Sequence, residues 1–383
     1  MEWKEEKLGD ICENLDNLRV PITKKDRVEG GVPYYGASGI VDYVKDFIFD
    51  EDLLLVSEDG ANLLARTYPI AFSVTGKTWV NNHAHALKFN EPVTQKFVEY
   101  YLNSISLKDF ISGMAQPKLN QKSLNSIPVS IPAISEQKRI VALLDTVFAD
   151  LEQTRSKTEQ NLKNARELFD SYLQQVFSQK GEGWIDKTLG EAVVVERGSS
   201  PRPIKKYQTD STDGVNWIKI GDTKGITKYI TSTKEKITKE GAEKSRRVDA
   251  GDFILSNSMS FGKPYIMGIS GYIHDGWFVF RLPDYIDTEF FYYLLSSPFV
   301  QKQFQTLSSG AIVKNISGDL VKKASLPIPP LSVQKTIASK LDETSKEIEK
   351  LESIYTKKLN SMDELKKSIL QKAFSGELTA NAK

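Results

Sequence analysis

The chain has 383 residues, of which 40% are hydrophobic and 26% charged, so its composition excludes a disordered or fibrous protein and suggests two to three globular domains. Its net charge of +1 divides unevenly: residues 1–131 contain 14 basic against 18 acidic residues, whereas residues 183–329 contain 20 against 16. No stretch reaches the ~18 apolar residues of a membrane span, and the N-terminus lacks the apolar segment of a signal peptide, so we expect a cytoplasmic protein with no membrane partner.

The residue types that usually bind metals or form disulfides are scarce. Cys12 is the only cysteine, so no internal disulfide can form, and its apolar neighbours predict a packing role. The histidines are His83, His85 and His274, and their spacing matches no familiar zinc site, so we expect no bound metal. His83 and His85 are predicted to pack or to form hydrogen bonds rather than to catalyse.

The first globular part has the pattern of short strands followed by a helix. Residues 43–49, 52–56 and 78–80 are strand-like, and residues 94–103 have a helical pattern. Residues 71–78 end like a phosphate-binding loop, but they lack its first glycine and lead into strand-like residues. We therefore expect no nucleotide site there.

A long helical segment, the first rod, follows a proline-rich edge. The prolines disfavour helix before them, and Ser135 is a natural N-cap. Apolar residues then recur in alternating steps of four and three over about six heptads, interrupted by the polar residues Thr154, Thr158 and Asn161. The pattern predicts a coiled-coil seam that includes Ile140, Leu144, Val147, Leu151, Leu168 and Tyr172.

The second globular part repeats this plan. Residues 214–220, 251–255 and 277–282 are strand-like, and residues 288–296 have a helical pattern. A second proline-rich edge then leads into the second rod, and each rod of ~44 residues would be ~66 Å long. The predicted seam of the second rod includes Ile337, Leu341, Ile348, Leu351, Tyr355, Met362, Leu365 and Ile369, with Lys358 as a polar member.

The two rods are copies of one another. Residues 137–178 align with residues 334–375 at a constant offset of 197 residues without a gap, whereas the globular parts align poorly. A repeat this long must be a domain plus a tail rather than a solenoid unit. Because the first rod leads into the second globular part, the second rod must run back to press the same stripe against the first.

The sequence therefore predicts an α+β fold. Two mixed α/β globular parts are separated by two long α-helices, which form an antiparallel coiled coil with pseudo-two-fold symmetry. The predicted boundaries are 1–131 for the first globular part, 132–180 for the first rod, 181–329 for the second globular part and 330–383 for the second rod.

Short motifs recur in a fixed order along the chain. They are residues 3–11 and their echo 184–191, the turn 35–40, the segment 116–120, the helix start 136–140 and the ending 374–378. Their order, doubled at this spacing, resembles that of the specificity subunit of type I restriction–modification systems. The resemblance implies two target recognition domains, each reading one half of a bipartite, asymmetric DNA site. It also implies helical spacers that set the half-site spacing and dock methyltransferase subunits.

The resemblance further implies a set of partners. These are double-stranded DNA, two modification (methyltransferase) subunits that carry S-adenosylmethionine, and optional restriction (endonuclease/translocase) subunits. The chain itself would bind no cofactor. A protein that binds duplex DNA by itself usually carries a larger excess of basic residues. The near-neutral net charge therefore fits a subunit that binds DNA together with partners.

Candidate DNA-binding residues have side chains that read base edges or phosphates, and they lie in polar, glycine-flanked segments. In the first globular part they are Tyr35, Ser38, Asn62, Arg66, Lys77, Asn81, Asn82, Gln116, Lys118 and Asn120. In the second they are Arg197, Ser199, Ser200 and Arg202 of one loop, with Lys205, Lys206, Lys219, Arg246, Arg247, Ser256, Asn257, Ser258, Lys314 and Asn315. Taken singly, each residue fits a solvated surface role equally well.

Two other functions remain open at this stage. One is an adaptor whose paired globular parts bind protein or glycan and whose coiled coil only tethers them. The other is a self-contained enzyme, but the sequence lacks a nucleophile elbow, a His-Glu-x-x-His pair and a dinucleotide fingerprint. We therefore predict a non-catalytic binding subunit.

Overall fold

The structure, a computed structural model, describes residues 3–113, 115–257, 262–308 and 317–380. Its contacts divide the chain into two compact units: Met1–Glu159 with Lys357–Lys383 form unit 1, and Gln160–Thr356 forms unit 2. Each unit combines β-sheets with α-helices, so the fold is α+β, as the sequence predicts. Within the described residues, no helix is long and apolar enough to cross a membrane.

Unit 1 is built from short strands and short helices, apart from the long helix that leaves it. Its strands are β1 (Lys4–Lys7), β2 (Glu13–Asn14), β3 (Glu29–Gly36), β4 (Gly39–Val44), β5 (Phe49–Asp50), β6 (Leu53–Ser57), β7 (Ala71–Val74), β8 (Lys77–Val80), β9 (Ala84–Lys88) and β10 (Pro128–Ile131). Its helices are α1 (Leu8–Ile11), α2 (Asn62–Ala65), α3 (Pro92–Ser104), α4 (Gln121–Asn125) and the start of α5 (Ile134–Ser178). Single 3-10 turns occur at Asp16–Leu18, Lys24–Asp26 and Lys108–Phe110.

Two sheets enclose the core of unit 1. The first is antiparallel with the order β2-β9-β6-β7, and the second has the order β4-β3-β8-β5, in which β3 and β8 are parallel. In β6, Leu54 and Val56 pack in the same cluster as Phe97 of α3, whereas Leu53 and Leu55 pack towards the second sheet. Because successive side chains of a strand point to opposite faces, this continuous apolar run is buried on both sides.

Unit 2 contains the same kinds of element. Its strands are β11 (Ile185–Thr188), β12 (Val194–Arg197), β13 (Val215–Ile218), β14 (Tyr229–Ile230), β15 (Glu235–Ile237), β16 (Arg246–Val248), β17 (Phe253–Ser256), β18 (Pro264–Met267), β19 (Gly271–Ile273), β20 (Trp277–Arg281) and β21 (Ser325–Ile328). Its helices are α6 (Leu189–Ala192), α7 (Lys239–Glu243), α8 (Thr288–Ser296), α9 (Pro298–Ser308), α10 (Gly318–Val321) and the start of α11 (Leu331–Phe374), which ends in unit 1 before α12 (Glu377–Ala380). The 3-10 turns are Ile204–Lys206 and Ile220–Thr223.

The sheets of unit 2 repeat the topology of unit 1. The order β12-β20-β17-β18 corresponds to β2-β9-β6-β7, and β15-β13-β19-β16 corresponds to β4-β3-β8-β5. The parallel pair recurs as β13 with β19, and the short pair β11–β21 repeats β1–β10. Unit 2 adds the strand β14, which runs parallel to β18 at the sheet edge. Two sequences that align poorly therefore form one architecture.

The two long helices run antiparallel where they pair inside each unit. As residue numbers rise along α5, those of the neighbouring residues in α11 fall. The pairs are Phe148 with Lys366 and Arg155 with Asp363 in unit 1, and Arg166 with Glu352 in unit 2, where Leu173 and Leu341 belong to one hydrophobic cluster. This direction agrees with the prediction from the repeat.

The seam drifts away from the predicted heptads. Leu168, Leu351 and Leu365 are 66%, 39% and 49% exposed, so the prediction placed them wrongly on the seam. An α-helix has 3.6 residues per turn and drifts ~20° per heptad from a 3.5-residue pattern, which moves the contact line by one residue. Phe169 and Leu370 pack against the hydrophobic clusters instead.

The other predicted seam residues lie on the inner side of the helices. Ile140, Leu144, Leu341 and Met362 are buried. The half-buried members are Val147, Leu151, Tyr172, Ile337, Ile348, Tyr355 and Ile369.

One further prediction differs from the structure. Residues 43–49 do not form one strand, because the chain leaves the sheet after β4 and re-enters it only at β5. Each compact unit includes part of both long helices, whereas the predicted four-segment division treats each long helix as a segment of its own. The phosphate-loop-like segment forms β7, a turn with Gly76 at φ +68° and β8; the two strands belong to different sheets, and the chain continues into β9 rather than into a helix.

Candidate nucleic-acid interface

Four segments of unit 1 that are distant in sequence meet at the end of β6. Ser57 donates its hydroxyl hydrogen to the carbonyl of Ala37, and the Glu58 N–H donates to the carbonyl of His83 at 2.9 Å. The Leu119 N–H donates in turn to the carbonyl of Glu58 at 2.8 Å. We call this surface the first rim; it comprises residues 35–38, 57–59, 81–83 and 116–120.

Most of the candidate DNA-binding residues of unit 1, which we call predicted readers, lie on the first rim. Ser38, Asn82, Gln116, Lys118 and Asn120 are exposed there, and Tyr35 and Asn81 lie beneath them. Two of the exposed residues also have structural contacts. The Lys118 Nζ lies 3.1 Å from Glu58 Oε1, and Asn120 caps α4 by accepting the Ser123 N–H at 2.9 Å. Asn81 Oδ1 accepts the N–H of His83 at 2.8 Å, which shapes the loop before β9.

Three predicted readers lie away from the first rim. Asn62 Oδ1 accepts the N–H of Thr67 at 2.9 Å and so closes the turn after α2. Arg66 adopts φ 52° and donates to the carbonyl of Ile105 at 2.6 Å, next to the C-terminal end of α3, where a positive charge is favourable. Lys77 begins β8, at the opposite end of that strand from Asn81, and packs over the Phe47 ring.

A buried ionic cluster lies under the first rim; it consists of Asp16, Arg19, Glu58 and His85. Arg19 Nη1 donates to Glu58 Oε2 at 2.7 Å, and Arg19 Nε lies 3.2 Å from Asp16 Oδ1. The Nδ1 of His85 lies 2.5 Å from Asp16 Oδ2, and its Nε2 lies 2.7 Å from the carbonyl of Leu119. The cluster thereby ties the chain before β3 to β9 and to the rim segment 116–120.

The electrostatics of this cluster keep its carboxylates ionised. Burial tends to raise the pKa of Asp16, but the hydrogen bond and charge of His85, the Ala86 N–H and Arg19 outweigh it, so the pKa is lowered. The pKa of Glu58 is lowered in the same way, with burial opposed by Arg19, His85 and Lys118. Each ring nitrogen of His85 lies within hydrogen-bonding distance of an oxygen atom, Nδ1 of Asp16 Oδ2 and Nε2 of the Leu119 carbonyl.

The same cluster contains three potential metal ligands. Atoms of Asp16, Glu58 and His85 lie within 4.8 Å of one another. The cations Arg19 and Lys118 already pair with these carboxylates, and their charge opposes a metal ion. The neighbouring thiol is equally unsuited to ligation, because burial, helped by the charge of Asp16, raises the pKa of Cys12 to about 12.

In unit 2, Asp275 organises the equivalent surface. Its carboxylate accepts the Ser200 hydroxyl hydrogen at 2.7 Å and lies 3.2 Å from Arg202 Nη2. Its backbone carbonyl accepts Arg197 Nε–H at 3.3 Å and the Asn257 side-chain N–H at 3.0 Å. We call this surface the second rim; it comprises residues 197–206, 246, 257 and 274–276.

The close approach of the two rim loops depends on a glycine. A Cβ on Gly198 would lie 2.0 Å from the carbonyl of His274, so a larger residue there would force the loops apart. Gly198 therefore lets the loop 197–202 pack against residues 274–276, where Asp275 bonds to it.

The remaining predicted readers of unit 2 divide into three groups. Arg202 is 81% exposed at its side chain, and Lys205 and Lys206 are exposed beside it. Several others are held in ion pairs or buried, and the last three lie outside the described residues. Three of these residues form ion pairs: Lys219 with Glu235, Arg246 with Glu196 and Arg247 with Asp249. Ser199 is half-buried, and Ser256 and Asn257 are buried. Ser258, Lys314 and Asn315 lie outside the described residues.

The acidic residues that bond the segments of each rim together were not among the candidates selected from the sequence. The search for base and phosphate contacts selects donors, so it passes over Asp16, Glu58 and Asp275. Gly198 in the motif Arg-Gly-Ser-Ser was the available signal, because a glycine inside a polar loop often marks a close approach of two backbones.

The sequence is similar to known proteins along most of its length. A family model for the type I restriction modification DNA specificity domain matches residues 1–161 and 181–356. A putative type I restriction enzyme specificity subunit from Haemophilus influenzae is 28% identical over 350 residues, which cover 89% of this chain and 87% of that protein. The MjaVIII specificity subunit from Methanocaldococcus jannaschii is 23% identical and covers 98% of this chain and 93% of that protein.

Two solved structures share the fold. A chain from a study of complex assembly and conformational transition of the type I R-M system superposes with a TM-score of 0.77 at 17% identity, over 97% of both chains. The HsdS subunit from Thermoanaerobacter tengcongensis superposes with a TM-score of 0.57 at 17% identity, over 98% of this chain and 97% of that chain.

Proposed function

Since the chain belongs to the type I restriction–modification DNA specificity family, we propose that its two rims read the two halves of a bipartite, asymmetric DNA site. The first rim reads one half-site and the second rim reads the other. The long helices α5 and α11 set the distance between the halves. The chain contributes recognition and no catalysis.

One observation carries this proposal: a single topology occurs twice with different polar groups at the same end of its sheets. In unit 1 the rim lies over the buried ionic cluster, whereas in unit 2 it is organised by Asp275. Base edges are distinguished by the pattern of donors and acceptors that a protein presents to them. Equivalent scaffolds with different polar surfaces therefore suit two unlike half-sites.

The exposed positive charge is unequal between the rims. Arg202, Lys205 and Lys206 are exposed on the second rim, where Arg202 pairs with Asp275, whereas the first rim contains a single lysine, Lys118, which pairs with Glu58, and no arginine. Phosphate neutralisation dominates DNA affinity, so the second rim would contribute more to binding and the first would depend more on partners.

Partners supply the rest of the activity. Two modification (methyltransferase) subunits would carry S-adenosylmethionine and methylate adenine, and restriction (endonuclease/translocase) subunits complete the assembly where they are present. Because α5 and α11 repeat one sequence at an offset of 197 residues, they can offer two copies of one partner the same docking surface.

Replacing Arg202 with alanine tests the assignment of the second rim. Arg202 pairs with Asp275, and because its side chain is 81% exposed, the guanidinium can also reach DNA. We expect Arg202→Ala to weaken methylation of DNA with the second half-site intact by the equivalent of about 1–3 kcal/mol and to relax base preference in that half only. The measurement is methylation by the complex reconstituted with its modification subunits, on DNAs varied in one half-site at a time.

Two matched variants complete that experiment. Lys118→Ala should affect the other half-site, and Lys302→Ala, an exposed cation on α9 outside both rims, should affect neither. Unchanged base preference in Arg202→Ala and Lys118→Ala would count against the rims as readers.

A further inference from the structure

Helix α3, and helix α8 together with its N-cap residue Asp287, contact the long helices through matched positions, although the globular parts around them align poorly. The matched residues are Thr94, Phe97 and Tyr100 in unit 1 and Asp287, Phe290 and Tyr293 in unit 2, at a constant offset of 193 residues. Steps of three residues place such side chains on one side of a helix. In both units this side faces the long helices.

The first matched position contacts a buried glutamine at the start of a long helix. Gln137 and Gln334 occupy one position of the 197-residue repeat and are 2% and 0% exposed. Thr94 Oγ1–H donates to Gln137 Oε1 at 2.8 Å, and the backbone N–H of Asp287 donates to Gln334 Oε1 at 2.8 Å. Each glutamine Nε2 also donates to the carbonyl of the proline five residues before it, at 2.8 and 2.9 Å. The bonds hold each amide in one orientation, because breaking any of them would leave a buried polar group unsatisfied.

The third matched position contacts an aspartate two turns further along the same long helix. Tyr100 Oη–H donates to Asp145 Oδ1 at 2.5 Å, and Tyr293 Oη–H donates to Asp342 Oδ1 at 2.5 Å. Burial, together with the hydrogen bond and charge of the aspartate, raises the pKa of both tyrosines, so each phenol keeps its proton and remains the donor. Lys228 adds to this contact in unit 2, with Nζ 3.0 Å from Asp342 Oδ1.

The middle matched position contacts the other long helix of the pair. The Phe97 ring lies 5.2 Å from Phe374 at the end of α11, and the Phe290 ring lies 5.6 Å from Phe177 at the end of α5. Both contacts are edge-on, which is a favourable arrangement for aromatic rings. Each short helix is thus fixed to both long helices within its unit.

We infer that these three contacts in each unit form a helix latch, whose residues position the recognition domain on its pair of long helices. The latch consists of Thr94, Phe97, Tyr100, Gln137, Asp145 and Phe374 in unit 1, and of Asp287, Phe290, Tyr293, Gln334, Asp342 and Phe177 in unit 2. Three separate contacts restrict rotation of a domain about the helices, so the latch determines how strictly the chain measures the distance between half-sites. This inference rests on the proposed function and names positioning residues for it.

The test measures tolerance to half-site separation. The full chain, assembled with its modification subunits, methylates DNAs that carry the wild-type separation or one base pair more or less. Gln334→Leu keeps the side-chain size but removes every hydrogen bond of the side-chain amide. We therefore expect the preference for the wild-type separation to fall about tenfold. Tyr293→Phe removes one hydroxyl and keeps the ring, so a smaller fall of about threefold is expected. Base preference within each half-site should not change.

A control variant and two contrary results complete the test. Thr336→Ala removes an exposed hydroxyl that bonds only within α11, to the Ser332 carbonyl at 3.1 Å, and should leave the separation preference unchanged. If Gln334→Leu and Tyr293→Phe lower the melting temperature but keep the wild-type separation preference, the latch is merely structural and the inference is wrong. If the wild-type complex itself showed no preference for a two-part site, the proposed function would be refuted instead.

Discussion

Removing one heptad from each long helix is expected to shorten the half-site separation that the chain recognises by about three base pairs. Seven helical residues span ~10.5 Å at 1.5 Å per residue, and DNA rises ~3.4 Å per base pair. Deleting residues 156–162 and 353–359, which correspond at the offset of 197, removes equal lengths from both helices. The ion pairs Arg155–Asp363 and Arg166–Glu352 remain.

The length of the deletion matters because the helices pack along a seam. Seven residues rotate the following helix by only ~20°, so the seam is kept, and the original site should lose most of its methylation while a shorter one gains it. Deleting seven residues from α5 alone is the matched control, since it puts the two helices out of register and should abolish methylation of both sites. If the double deletion kept the original separation, the long helices would not set the distance between the half-sites.

Removing the carboxylate of Asp16 is expected to destabilise unit 1 by about 1–3 kcal/mol, because the Ala86 N–H and the His85 Nδ1 lose a buried partner and Arg19 keeps only Glu58 as its counter-charge. Hydrogen exchange would detect this in Asp16→Ala as faster exchange in β6 and β9, while β17 and β20 of unit 2 serve as the internal reference. Asp46→Ala, which removes an exposed carboxylate of the same unit, should change neither. Equal protection in Asp16→Ala and wild type would show that the cluster contributes little.

The same cluster predicts a loss of stability in acid. The pKa of both Asp16 and Glu58 is lower in the folded chain than its ordinary value. Their contribution is therefore fully present above the unfolded pKa values, about 4, and is lost as the pH falls through the lowered folded values. Asp16→Asn should flatten this dependence for unit 1. Denaturation between about pH 5 and pH 2 would measure it, and parallel curves for variant and wild type would exclude the cluster as the cause.

The features that follow from local periodicity and from the repeat could be predicted from the sequence. Two long helices, their antiparallel direction and the short helices α3 and α8 all follow from spacing that a helix imposes on neighbouring residues. The exposure of Leu168 and Leu365 was not predicted, because a strict heptad pattern neglects the ~20° per heptad by which an α-helix drifts from a 3.5-residue repeat.

The rims were only partly predictable. Glycine-flanked polar segments pointed to the turn near Ser38 and to the loop 197–202, which the structure places on the two rims. The roles of Arg66 and Asp275 depend on carbonyls and side chains 39 and 75 residues away along the chain. Such pairings are set by tertiary packing, so no local pattern reveals which arginine is committed inside a domain and which one faces outwards.

If one chain reads two unlike half-sites at a fixed distance, sequencing of methylated adenines will show both halves and the gap between them in a single experiment. The chain would be expressed with its modification subunit in a host free of other adenine methylation, both unaltered and with residues 181–329 replaced by those of a relative. We expect one bipartite motif with two different halves and a constant gap, in which the replacement changes one half and leaves the other half and the gap intact. An undivided motif, or a replacement that alters both halves together, would contradict it.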